Sequence, residues 1–143
     1  MYTNHYDVLL HDDEGNIITA ALRLPLSAQI ELRKKYGNDT RTILFSAATD
    51  DDMFLTVLNK CLNWAGNANT IRTGEELFER LVDEGLMGII ERQRIIIEIG
   101  AASGVFSDKE KEGLMTKVDS MERAMFSGGD GAEIEEEADE KKA

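Results

Sequence analysis

The stretch from Met53 to Gly88 constrains this chain most, because it spells two amphipathic helices joined by a polar turn. Phe54, Val57, Leu58, Cys61, Leu62 and Ala65 recur at three- and four-residue spacing, which places them on one stripe of a helix. Asp50 to Asp52 supply cap oxygens and negative charge where that helix starts. Gly66, Asn67 and Asn69 are expected to end it, since Gly and Asn best tolerate left-handed backbone. Thr73-Gly-Glu-Glu76 then has the spelling of a capping box, with Glu76 placed to reach back to the Thr73 backbone N–H. Leu77, Phe78, Leu81 and Val82 form the second stripe, and Gly85 stops it. Neither stripe is stable in water, so the two helices are expected to pack first on each other.

The flanking sequence supplies what these helices rest on. Residues 6–24 alternate apolar and polar positions on either side of the turn-rich His11 to Asn16, which predicts a β-hairpin lying against the helices. Ser27 is expected to cap a helix through Tyr36 with Ile30, Leu32 and Tyr36 facing inward, stopped by Gly37. Asn38 or Asp39 caps a short helix, Thr40 to Ala48, burying Ile43, Leu44 and Ala47. The isoleucine-rich Leu86 to Ser103 has a β preference residue by residue. Yet Glu91, Arg94 and Glu98 fall on one polar side at helical spacing, so a central helix ending at Gly104 is predicted. Ser107-Asp-Lys-Glu110 is a second capping box, opening a helix to about Phe126. The expected fold is mainly α: a small bundle of about five helices with an N-terminal β-hairpin, one domain over 1–126. Residues 127–143, rich in Gly and acids, are expected to form a flexible acidic tail.

Charge and composition narrow the function classes. The net charge of −12 opposes binding to a phosphate backbone. A helix-turn-helix layout exists in the central pair, but its would-be reading helix carries Glu75, Glu76, Glu79, Asp83 and Glu84 against Arg80, so nucleic acid is not expected as a partner. No apolar run reaches the ~20 residues of a membrane span, and Met1 to Asp7 has no basic start or apolar core of a signal peptide. With a single cysteine, Cys61, on an apolar face, a reducing cytoplasmic setting is expected. No catalytic set, metal site or cofactor motif is read: His5 and His11 lack a recognised ligand spacing, and Asp50 to Asp52 lack that of a calcium loop. The chain is therefore expected to be a binding protein and not an enzyme.

Two features point to a binding surface. The last helix carries Leu114, Met115, Val118, Met121, Met125 and Phe126 as its apolar positions. Flexible thioether chains suit an adaptable groove as well as a packed core. Trp64, beside the Asn/Gly turn, reads equally as an interface anchor or as a lid on the core. An acidic protein with such a groove suits a basic, amphipathic protein partner. The rival reading is an acidic regulatory or inhibitory adaptor that mimics nucleic acid to occupy a basic protein.

The segments LRKKYG (Leu32 to Gly37), Ala47 to Asp52, and Leu58 to Gly85 with its LNWAGNANTI and GEELFERLVDEG resemble the tail assembly chaperones of long-tailed phages and prophages of Gram-positive bacteria. The resemblance spans roughly residues 20–106, and its most telling part is the Leu62–Gly85 stretch. It implies a non-enzymatic protein that coats the long helical tape measure protein and delivers tail tube subunits to it. Such a protein acts in the host cytoplasm and is absent from the mature virion. Many such proteins are also made in a longer form by ribosomal frameshifting, so the resemblance implies that the acidic end is either the terminus of the short form or the joint to a second module.

Overall fold

The structure, a computed structural model, describes residues 4–128, and the rest of the expected acidic tail lies outside them. A two-stranded antiparallel hairpin, β1 (Tyr6–His11) and β2 (Ile17–Leu22), is followed by six helices: α1 (Leu26–Tyr36), α2 (Thr40–Ala47), α3 (Asp51–Leu62), α4 (Gly74–Asp83), α5 (Ile89–Ala102) and α6 (Asp108–Gly128). The mainly helical architecture with an N-terminal hairpin is as the sequence indicates, each of the six helical segments read from it forming a helix, with Ser127 and Gly128 belonging to α6 instead of the tail.

α3 is the centre. Its stripe of Phe54, Val57, Leu58, Cys61 and Leu62 is buried and meets α2, α4 and β2. Asp50 caps it by accepting from the Met53 N–H at 3.1 Å. The Asp39 carboxylate does the same for Thr42 at 2.8 Å, so Asp39 and not Asn38 starts α2. The helix stops are local chemistry as well. After α4, Gly85 takes φ 75°, and its N–H and that of Leu86 bond back to the Val82 and Leu81 carbonyls.

The hairpin lays Val8 and Leu10 of β1 and Ala20 and Leu22 of β2 on the core. Its register pairs Val8 with Ala20 and Asp7 with Ala21. The Ala21 N–H and C=O therefore point away from β1, to an outer edge that the α3–α4 loop covers. Asn69, buried in that loop, accepts from the Ala21 N–H at 2.7 Å and donates to the Ala21 and Leu62 carbonyls at 2.9 and 3.2 Å. The Trp64 indole N–H donates to the same Ala21 carbonyl at 3.0 Å. Arg23, next on that edge, bonds the Cys61 carbonyl through its N–H at 3.1 Å. The opposite edge is closed at His11, whose N–H is taken by Glu84 at 2.8 Å and whose carbonyl accepts from Arg80 at 3.1 Å.

Some expectations are corrected. α1 starts at Leu26, directly after Pro25, with no side-chain cap, and buries Ala28 and Leu32 while Ile30 is exposed. At 100° per residue Ile30 stands about 200° round the helix from both, on the far side. α3 ends at Leu62, because Asn63 leaves helical backbone with φ −110° and ψ 59°. Ala65 thus lies in the loop, exposed, and not on the stripe. In the first capping box the Thr73 hydroxyl accepts from the Glu76 N–H, but among the described residues the reciprocal Glu76 contact does not form. In the second box both halves form, Ser107 with Glu110 at 2.9 and 3.1 Å.

Candidate functional site

α5 and α6 form an antiparallel pair, fixed by Lys111 on Glu98 at 2.9 Å and by Arg94 reaching Asp119 at 2.7 Å and Glu122 at 2.6 Å. Hydrogen bonding to Asp119 holds the Arg94 guanidinium above its ordinary pKa. Between these ion pairs, Ile90, Ile97 and Val118 make a small apolar cluster separate from the main core. α5 starts at Ile89 while α6 runs on to Gly128, so the last turns of α6 overhang the start of α5.

A cleft of about 200 Å³ opens where this pair meets the end of α2. Phe45 and Ala48 of α2, Ile96 and Ile97 of α5, and Leu114, Val118 and Met121 of α6 give it apolar walls, and Gln93 and Lys117 add its polar atoms. Phe45 is 44% exposed and leans on Phe106 with ring centroids 5.5 Å apart. The Arg41 guanidinium covers that Phe106 ring at 5.0 Å and pairs with Glu110 at 2.6 Å. The apolar strip continues beyond the cleft: Met125 and Phe126, 53% and 70% exposed, lie on the overhanging end of α6.

The structure thus brings Leu114, Val118 and Met121 into one cleft, with Met125 and Phe126 beyond it. Met115 is half-buried against the Ile90–Ile97–Val118 cluster and does not line the cleft. Of its two readings Trp64 takes that of a lid on the core: it is 7% exposed, its N–H is spent on Ala21, and His5 stacks on its ring at 5.5 Å. Sequence reasoning missed Phe45, Ala48, Gln93 and Lys117, because α2 is sixty-odd positions from α6 and nothing local announces their meeting. An aromatic on the polar side of the Ile43–Leu44–Ala47 stripe was the available signal.

A second recess, of about 200 Å³, is polar and lies among His5, Tyr6, Glu98, Asp108 and Lys111. Glu98 and Lys111 are bound to each other there. Burial, and then the charge of Glu98, pushes the Tyr6 hydroxyl above its ordinary pKa, so that it stays protonated. Cys61 is buried in the core, and desolvation raises its thiol well above the usual range, which removes it as a nucleophile. Among the described residues no three His, Cys, Asp or Glu side chains gather to hold a metal ion, and no helix is long and apolar enough to cross a membrane. No family model, curated protein or solved structure matches this chain.

Proposed function

We propose that this chain is a non-enzymatic chaperone of phage tail assembly, which shelters the helical tape measure protein and brings tail tube subunits to it in the host cytoplasm. The observation that carries the reading is the open apolar cleft between α2, α5 and α6, continuous with the uncovered Met125 and Phe126. Uncovered apolar surface at the end of a helix is what a helix-in-groove partner uses. The net charge of −12 keeps such a surface from self-association and suits a basic client.

The test is co-expression with a tape measure protein and with a tail tube protein, followed by co-purification. Replacing Met121 and Met125 together by Lys should abolish capture while the melting temperature stays within about 2 °C, since both side chains are at least 40% exposed. Capture unchanged by the double substitution would refute the site. Binding held by apolar contact persists at about 1 M salt, whereas the rival adaptor's binding to a basic protein collapses there.

A further inference from the structure

Resting on that reading, we infer that the cleft takes an amphipathic helix of about three turns whose basic residues are gathered at one end of its apolar stripe. The length follows from the strip. Leu114, Val118, Met121 and Met125 stand at spacings of four, three and four residues, one continuous seam along α6. At 1.5 Å per residue that seam is about 16 Å long, which is about three helical turns. Its first two members are turned into α5 or the cleft wall, and the last two are exposed.

The two ends of the cleft differ in charge. Gln93, Ala48 and Met121 mark one end. Beside Ala48 the chain enters Asp50, Asp51 and Asp52, all exposed at the start of α3, and Asp51 is held at 2.6 Å from Arg92, the neighbour of Gln93. Phe45, Leu114 and Lys117 mark the other end, where Arg41 is paired with Glu110 and the exposed Lys109 and Lys117 are matched by the exposed Asp108 and Glu112. A helix with its lysines spread evenly along its polar face gains at the acidic end of such a cleft and gains nothing at the other. A helix with its lysines at one end gains from the acidic end without meeting Lys117. A second copy of this chain is the poorer occupant, since each copy carries a net charge of −12.

Three labelled peptides of about 18 residues, long enough to hold a helix, test this against the full chain by fluorescence anisotropy at low salt. All share one leucine stripe. The first gathers its lysines at one end, the second spreads the same lysines evenly, and the third replaces them with glutamates. The end-basic peptide should bind about ten-fold tighter than the evenly basic one, and the acidic one should bind weakest. Asp52→Lys, at an exposed side chain with no hydrogen bond of its own among the described residues, should shrink the ten-fold preference and leave the far-ultraviolet spectrum unchanged. Equal binding of the first two peptides, both sensitive to Met121→Lys, would overturn the charge polarity and leave the client-binding reading standing. Binding of none of the three, or binding insensitive to Met121→Lys, would overturn both.

Discussion

Asn69→Ala is the substitution that most directly tests how this fold is held. Asn69 is 6% exposed and makes three side-chain hydrogen bonds: one from the Ala21 N–H, one to the Ala21 carbonyl and one to the Leu62 carbonyl. Each neutral bond is worth about 1 kcal/mol net, and the contact to Leu62, the longest, counts for less. The Ala21 carbonyl keeps Trp64 as a donor after the change. The Ala21 N–H keeps nothing, and a half-buried donor without a partner adds a desolvation cost of its own. The expected loss is about 2–4 kcal/mol, a large share of the 5–15 kcal/mol typical of a small domain, and a fall in melting temperature of about 10 °C. The assay is urea unfolding followed by circular dichroism and by the fluorescence of Trp64, the only tryptophan, which sits in the same network. A loss under about 1 kcal/mol would show that water replaces the amide and that the clip is not what closes the sheet edge. Asn69→Asp sharpens the test. Its carboxylate would face two carbonyl oxygens, which raises its folded pKa above the unfolded value near 4. The deficit of such a variant against wild type is expected to be smallest below about pH 4 and to grow as pH rises through the raised folded value.

Gly100→Ala should cost about 1–3 kcal/mol or prevent folding, because a Cβ there would collide with the Phe106 ring and crowd Leu44 at 3.3 Å; an unchanged urea midpoint would show that Phe106 swings aside freely. Acid should destabilise the wild-type chain: the Arg41 hydrogen bond on Glu110 and the Thr42 N–H on Asp39 hold both carboxyls below their ordinary pKa. That contribution is present above the unfolded values near 4 and is lost as pH falls through the lower folded ones, so the urea midpoint should fall below about pH 4. A midpoint that rose instead would mean that relief of the net −12 repulsion outweighs them. α6 amides should exchange with solvent before those of α3, and faster in high salt, since α6 is held by the small Ile90–Ile97–Val118 cluster and by ion pairs at least a quarter exposed on each partner; uniform protection across the two helices would refute this.

What was legible in the sequence was local. Asp39, Asp50, Thr73 and Ser107 each accept a hydrogen bond from the first turn of their helix, and such caps are decided within four residues. The left-handed Gly37, Gly85 and Gly104 are stops of equally short range. The apolar stripes gave the face of α3, but not its last turn, where Asn63 leaves helical backbone three residues early and Trp64 bonds to Ala21. That tertiary bond settled the Trp64 ambiguity, and no window of neighbours contains it. The cleft was half legible: α5 and α6 are joined by a short turn, while the third wall comes from α2.

The segment on which the family resemblance mostly rests therefore has a structural occupation of its own. Asn67 accepts from the Asn69 N–H at 2.9 Å and donates to the Trp64 carbonyl at 2.6 Å, so the Asn-rich loop is wired to itself before it grips β2. A two-stranded hairpin left with open edges is marginal and prone to pair with other chains. Here one edge is met by Asn69, Trp64 and Cys61, and the other by Glu84 and Arg80 of α4. The helix–loop–helix unit of α3 and α4 thus does two things at once, filling the core and closing both sides of the sheet. α6 does neither, for only Leu114 of its seam touches the main core. Substitutions at the exposed Met121, Met125 and Phe126 accordingly cost little in folding, whereas a change at Asn69, Trp64, Arg80 or Glu84 takes a hydrogen-bond partner from a backbone group on a sheet edge.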